Sequence, residues 1–421
     1  MSRTSGLRKL GGENTKDKFR VDSLRLNQTL SIILLISLAL AILYAYYPSQ
    51  PTTPLNKTYF SELSNYSLSK EKPESINQSI KRSADFVSKT FNGTSILSIT
   101  CDQSADTCEL KHQNLTTAHI GWLIRAAVGQ YQIQPTEKNL GAVSALMDEL
   151  ISRCWPYGEG TCGIELYKPF ERCHSQLSHL MIGYGVTQKK EHMDHIKKMM
   201  HCNFDVYGLM PADGSTMDMA WLSMTHFQAY DICENDQNYK LSTVLDEQSD
   251  PVIILLSPKG EKKSCDFLLE RAEQDLNTAK SKENFVPVLY SYSGVELRGF
   301  TCFRVLAEAQ AYASTGDEKY IDSAGLFLDN IRFNESLELN WDMPSYPQAI
   351  IPCIEAMQIL DKSQDNSKYS SSINSLKQYL VEKHAVDGPI SVGSSDIGIR
   401  TYNIPDNSWF IYVMSIEVGN E

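Results

Sequence analysis

Ala309–Ile331, AQAYASTGDEKYIDSAGLFLDNI, is the stretch that decides the fold of this 421-residue chain. Apolar residues recur at helical spacing on both sides of Ser314-Thr315-Gly316-Asp317: Phe303, Leu306, Ala307, Ala311 and Tyr312 before the break, and Tyr320, Ala324, Phe327 and Ile331 after it. Gly316 is placed to take the left-handed conformation that ends a helix. Asp317 is placed to open the next one by accepting from its first unpaired amides. The spacing predicts two antiparallel helices, Leu297 to Ala313 and Asp317 to Ile331, joined by a tight turn.

The same grammar returns along the chain. Ala307-Glu308-Ala309 recurs as Ile354-Glu355-Ala356 and Lys319-Tyr320 as Lys368-Tyr369, at offsets of 47 and 49 residues. Further bends are expected near Thr136, Gln188 and Asp236. Turn offsets of about fifty residues suit one helix pair per repeat, in a solenoid or a closed toroid. The interval from Asp236 to Gly316 is too long for one pair. It holds DPVIILLSPKGEKK, residues 250–263, read as a short strand pair or an excursion on the rim, followed by a helix from Cys265 to Lys280.

Toward the N-terminus the pattern changes. Leu30–Tyr47, LSIILLISLALAILYAYY, carries no charge, proline or glycine, and its 18 residues come close to the length of a membrane-spanning helix. Tyr44, Tyr46 and Tyr47 stand at its far end, where amphipathic rings favour the headgroup layer. Arg3, Arg8, Lys9, Lys16, Lys18, Arg20 and Arg25 precede it, which places the N-terminus in the cytoplasm by the positive-inside rule and the bulk of the chain outside. A cleaved signal peptide is the alternative, but the basic leader is long and no small-x-small site follows. A buried helix of a soluble protein would show a polar stripe, and none is present. The expected organisation is a tail over 1–28, a single anchor over 29–47, a tether over 48–74 and a folded domain over 75–421.

All ten cysteines follow the anchor, and none forms a C-x-x-C pair, so disulfides are expected rather than zinc or a redox site. Positions suit the pairs Cys101–Cys108, Cys154–Cys162, Cys173–Cys202, Cys233–Cys265 and Cys302–Cys353. Asn56, Asn65, Asn77, Asn92, Asn114 and Asn334 head Asn-x-Ser/Thr triplets on the same side. The net charge of −12, set against a basic leader, argues against nucleic acid as a partner. No Walker A, G-x-G-x-x-G or G-x-S-x-G string occurs, which removes the commonest hydrolase and nucleotide signals and leaves the cofactor unknown. His174, His179, His192, His195 and His201 lack the spacing of a zinc protease, and a solvated helix face accounts for the last three; no metal is expected.

About six consecutive hairpins, with a final helix near Asp406–Ile416 available to close on a first near Ser75–Phe91, resemble the (α/α) toroid of six-hairpin glycosidases and related sugar-processing enzymes. The resemblance implies an all-α domain whose inner helices run in parallel, with the loops that lead into them gathered at the mouth of a central funnel. Those loops carry Asp213, Asp218 and Trp221; Glu296 and Arg298; Trp341, Asp342 and Tyr346; and Asp396, Tyr402, Asp406 and Trp409. Paired carboxylates supply acid and base or nucleophile in glycosidic cleavage, and aromatic faces stack on sugars. The candidate catalytic set is therefore Asp213, Asp218, Glu296, Asp342, Asp396 and Asp406. The candidate sugar-binding set is Trp221, Arg298, Trp341, Tyr346, Tyr402 and Trp409. Structural readings compete: Ser215 with Asp218 as a capping box, Asp406 as an N-cap, the tryptophans as core. The function expected is a membrane-anchored carbohydrate-active protein, a hydrolase, lyase or epimerase, against a non-catalytic glycan- or protein-binding module.

Overall fold

The computed structural model describes residues 68, 73, 75–102, 107–154, 176–207, 216–242, 265–283, 301–329, 331, 347–385, 388–391 and 399–416. All of them belong to the compact unit Pro54–Glu421. The anchor Leu30–Tyr47, the tether apart from Leu68 and Pro73, and the strand pair expected over 250–262 lie outside the described residues. No helix among those described is long and apolar enough to cross a membrane.

Thirteen helices are described: α1 Ile76–Lys89, α2 Thr117–Ile133, α3 Glu137–Cys154, α4 Leu177–Thr187, α5 Lys190–Tyr207, α6 Thr216–Asn235, α7 Gln237–Leu241, α8 Cys265–Glu283, α9 Thr301–Thr315, α10 Glu318–Leu328, α11 Pro347–Ser363, α12 Ser370–His384 and α13 Ile404–Ser415. The helices α2, α4, α6, α9, α11 and α13 pack each on the next, and α13 packs back on α2, so they form a closed inner ring. Around it stand α1, α3, α5, α8, α10 and α12. The helix α1 packs on both α13 and α2, and this contact between the first and last helices excludes the open solenoid. The domain is an (α/α) toroid.

Local chemistry explains the bends. Gly316 sits at φ +70° and Asp317 caps α10, accepting from the Lys319 amide at 3.0 Å. Asp236 caps α7 by accepting from the Tyr239 amide at 2.9 Å, and Gln188 closes α4 at φ 49°. Inner helices such as α4 and α13 are apolar nearly all round, as helices walled in by neighbours must be.

The structure differs from the sequence reading in three places. The long interval between Asp236 and Gly316 is not an excursion throughout: the helix expected from Cys265 to Lys280 forms as α8, a regular outer helix of the ring that packs on α6 and α9 through Leu268, Ala272, Leu276 and Ala279, all buried at helical spacing. The ring requires an outer helix there because α7 has only 5 residues and cannot cover the back of α6. Second, the chain between α1 and α2 forms two antiparallel strands, β1 Ser95–Asp102 and β2 Thr107–Asn114, and β3 Ile399–Tyr402 joins β1 to give the order β2-β1-β3. Third, His192 is not solvated. It is 2% exposed, with Nε2 on Asp148 Oδ1 at 2.9 Å and Nδ1 on Thr187 Oγ1 at 3.2 Å.

The disulfides Cys101–Cys108, Cys233–Cys265 and Cys302–Cys353 form as the spacing predicts, and Cys154 is also disulfide-bonded. The first closes the β1–β2 hairpin, the second ties α6 to the start of α8, and the third joins the inner helices α9 and α11. Cys162 and Cys173 lie outside the described residues, as does the Cys202 side chain.

Candidate functional site

The six inner helices each send a side chain to the axis of the ring. Trp122 comes from α2, Trp221 from α6 and Trp409 from α13. Their ring centroids are 5.6 Å apart for Trp122–Trp221, 5.1 Å for Trp122–Trp409 and 5.8 Å for Trp221–Trp409. Phe303 of α9 adds a ring 5.6 Å from Trp409, and His179 of α4 adds one 4.6 Å from Trp122. The sixth helix, α11, contributes Glu355.

Beneath the rings lies Arg125, fully buried. Its Nη1 donates to both carboxylate oxygens of Glu355 at 2.9 Å, and its Nε donates to His179 Nδ1 at 3.0 Å. Trp409 Nε1 donates to Glu355 Oε2 at 2.6 Å. The guanidinium carbon is 5.2 Å from the Trp221 centroid, 5.7 Å from those of Trp122 and Trp409, and 5.0 Å from that of Tyr412. A charge so buried is tolerated only when paired and hydrogen-bonded, and here both conditions hold. Burial, with the Arg125 charge beside it, drives the His179 imidazole well below its ordinary pKa. Because arginine can only donate, neutral His179 accepts at Nδ1 and carries its proton on Nε2. Burial and then Glu355 push the Tyr412 hydroxyl upward. The axis is thus a plug: three indoles, the Phe303 ring and His179 close over the buried Arg125–Glu355 pair.

One helical turn nearer the mouth, three of these helices repeat a pattern. Asp218 precedes Trp221 by three residues, Asp406 precedes Trp409 by three and His119 precedes Trp122 by three, so each pair shares a helix face. Asp218 is exposed in the first turn of α6, where the helix dipole favours a carboxylate. Asp406 is 5% exposed, and burial pushes its carboxyl up to about 6, against hydrogen bonds from Asn403 and Gln348 that favour its charged form. Asp406 is not the N-cap of α13. Asn403 is, accepting from the Asp406 amide at 2.9 Å. His119 closes a capping box with Thr116, and burial lowers its pKa.

Of the candidates read from sequence, Trp221 and Trp409 come together, and Asp218 and Asp406 stand one helical turn N-terminal to them on α6 and α13. Tyr402 is fully buried, paired with Ile99 in the sheet, and offers no face to solvent. Asp213, Glu296, Arg298, Trp341, Asp342, Tyr346 and Asp396 lie outside the described residues. Sequence reasoning missed Trp122, Arg125, His179, Phe303 and Glu355, because it searched loops while these sit inside helices. The recurrent [Asp/His]-x-x-Trp spacing was the available signal.

No protein-family model matches the sequence, and no curated protein matches it. Solved structures do. An inactive variant of the GH76 α-1,6-mannanase of Salegentibacter sp. HEL1_6, altered at two consecutive aspartates and in complex with α-1,6-mannotetrose, superposes with a TM-score of 0.50 at 8% identity, over 81% of this chain and 98% of that one. A GH76 α-mannanase of Bacteroides thetaiotaomicron gives 0.49 at 12% identity, over 81% of this chain and 95% of that one. An unsaturated glucuronyl hydrolase specific for heparin gives 0.48 at 11%, with coverages of 81% and 95%. The likeness is one of fold.

Proposed function

We propose that this chain is an extracytoplasmic carbohydrate-active protein, held to a membrane by Leu30–Tyr47 with its N-terminus in the cytoplasm, that takes a glycan at the N-terminal ends of the inner helices. The observation that carries the reading is the convergence of Trp122, Trp221 and Trp409 from three inner helices with Asp218 and Asp406 one turn above two of them. Indole faces pack against the C–H faces of sugars, and two carboxylates in unlike environments divide the work of glycosidic cleavage. Asp406, with its carboxyl held up to about 6, is the general acid; exposed Asp218 is the base or nucleophile. The mannanase with the same fold supports the substrate class.

A second reading has its own observation. The mannanase is inactive when two consecutive aspartates are changed. Among the described residues no inner helix begins with two consecutive carboxylates: α6 offers Asp218 between Met217 and Met219, and α13 offers Asp406 alone. A toroid that binds glycan without cleaving it fits that difference.

The test is a glycan array together with a reducing-sugar assay on residues 75–421, beside Asp218→Asn and Asp406→Asn. The hydrolytic reading expects product from the wild type and a loss of about 10²-fold or more in each variant, the scale of a lost acid or base. Binding that survives both substitutions, with no product from any glycan, establishes the binding module instead.

A further inference from the structure

The core-side face of the sheet is not fully covered. In the register of β1 and β2, Leu97 opposes His112, Ile99 opposes Leu110 and Cys101 opposes Cys108, so paired residues share a face. On β1 that face is buried: Leu97 is 2% and Ile99 1% exposed. Across the ladder it is open, with Leu110 at 44% and His112 and Cys108 exposed. The strand β2 also ends the sheet, so among the described residues its outer edge pairs with nothing. An edge strand exposed over Cys108–His112 and at Asn114 is a template for unwanted strand pairing.

Asn114 is the last residue of β2 and pairs with Ser95, which places it on this same core-side face, exposed. It heads the triplet Asn114-Leu115-Thr116. We infer that Asn114 carries an N-linked glycan, and that this glycan is the cover of the open face of β2. The inference rests on the exported topology proposed above. The bond formed joins Asn114 Nδ2 to C1 of an oligosaccharide carried on a polyprenyl pyrophosphate. The C1–O bond to the pyrophosphate breaks, and the amide proton leaves with it.

The neighbouring cap fixes the order of events. The hydroxyl of Thr116, which a sequon must present to the transferase, is in the folded chain the N-cap of α2: it accepts from the His119 amide at 3.4 Å and lies 2.8 Å from His119 Nδ1. Transfer therefore precedes capping of α2. Asn92 is placed differently. It is half-buried, and its Oδ1 already accepts from the Thr94 and Ser95 amides at 3.1 and 2.9 Å and lies 3.1 Å from each of their hydroxyls.

The full chain, expressed in a eukaryotic secretory host, is treated with peptide-N-glycosidase and its sites are mapped by mass spectrometry. Asn114 is expected to be occupied, Asn114→Gln to lose one glycan, and Thr116→Ser, which keeps both the sequon and the cap, to retain it. Purified Asn114→Gln is further expected to self-associate with rising concentration, and Asn114→Gln with Leu110→Lys to return to the wild-type state. An exported chain glycosylated elsewhere but bare at Asn114 overturns the inference and leaves the topology standing. A chain with no glycan at any sequon overturns both. An Asn114→Gln protein that stays monodisperse removes the covering role.

Discussion

At one end of the ring the chain passes from inner to outer helix in a few residues at 134–136, 188–189, 316–317 and 364–369, and by way of the short α7 between α6 and α8. At the other end the connections leading into the inner helices are 90–116, 155–176, 208–215, 284–300, 329–346 and 385–403. The short connections are closed by helix caps and left-handed residues. The long ones lead to the helix starts that carry His119, Asp218 and Asp406. A scaffold fixed by tight bends at one end leaves the other free to carry binding groups. The plug around Arg125 sits between them, and it lets the mouth end keep its geometry without short loops.

The most severe way to test that division is to remove the plug. Arg125→Met leaves the Glu355 carboxylate buried with only Trp409 Nε1 described beside it, and stripping one partner from a buried pair costs about 3–5 kcal/mol. Guanidinium unfolding should show this loss, and Arg125→Met with Glu355→Leu should recover much of it, because the uncompensated charge is gone. A loss below about 1 kcal/mol in the single variant would mean that the mouth is held by something other than the axis.

Next in size is the pH dependence set by Asp406. Its folded pKa of about 6 stands above the ordinary 3.8. Between those values the folded chain holds more protons than the unfolded one, so this group's contribution to stability falls as pH rises from about 4 to about 6, by about 3 kcal/mol in all. His119 and His179 act in the opposite sense, since their lowered pKa values weaken the fold as pH drops below 6.5. The difference between wild type and Asp406→Asn isolates Asp406: the variant should match the wild type at pH 4 and exceed it at pH 7. Equal stability at both values would show that the carboxyl is not held up by burial. A carboxyl that weakens the fold when ionised is what a functional group at the mouth would look like, whereas every bend residue should strengthen it.

How far each end could be read in advance follows from the range of its interactions. Gly316 and Asp317 announce a bend because a helix end is satisfied by residues within a few positions of it, and the bends near Thr136, Gln188 and Asp236 were legible for the same reason. Arg125 and Glu355 are 230 positions apart, and no local pattern ties them. The β1–β2 hairpin was hidden because SILSITCD alternates over few residues between two helices, and its partner β3 is only 4 residues long. Asp406 was found as a candidate acid, with the N-cap as its competing reading, and Asn403 holds the cap instead. The burial of Asp406 comes from the ring closing around it, which is a tertiary effect.

A smaller effect probes the seam where the ring closes. A Cβ on Gly129 of α2 would meet Ile411 O and the Tyr412 Cα of α13 at 3.0 Å each, both backbone atoms that cannot swing aside. Gly129→Ala should therefore cost about 1–3 kcal/mol by forcing α2 and α13 apart. Gly185, in the last turns of α4 near a bend, has nothing within 4 Å of such a Cβ, and Gly185→Ala should add about 0.5–1 kcal/mol through helix propensity alone. Opposite signs in thermal unfolding are the expected result. A neutral Gly129→Ala would show that the seam has slack.

The smallest effects belong to the bends themselves. Three inner helices end on a left-handed residue, but only one of these is glycine: Gly316 at φ +70°, Gln188 at φ 49° and Asp365 at φ 48°. Side chains in that region meet the following carbonyl, at a cost of about 1–2 kcal/mol that glycine avoids. Gly316→Ala should lose about 1 kcal/mol, since nothing else crowds that position. Gln188→Gly should gain a little less than that, because it also gives up the bond from Gln188 Nε2 to Gly185 O at 3.2 Å and frees the unfolded chain. Measured together by denaturant midpoint, the two substitutions ask whether the bend end is already at its optimum. If Gln188→Gly destabilises, the side-chain bond outweighs the backbone strain, and the non-glycine bends are as well built as the glycine one.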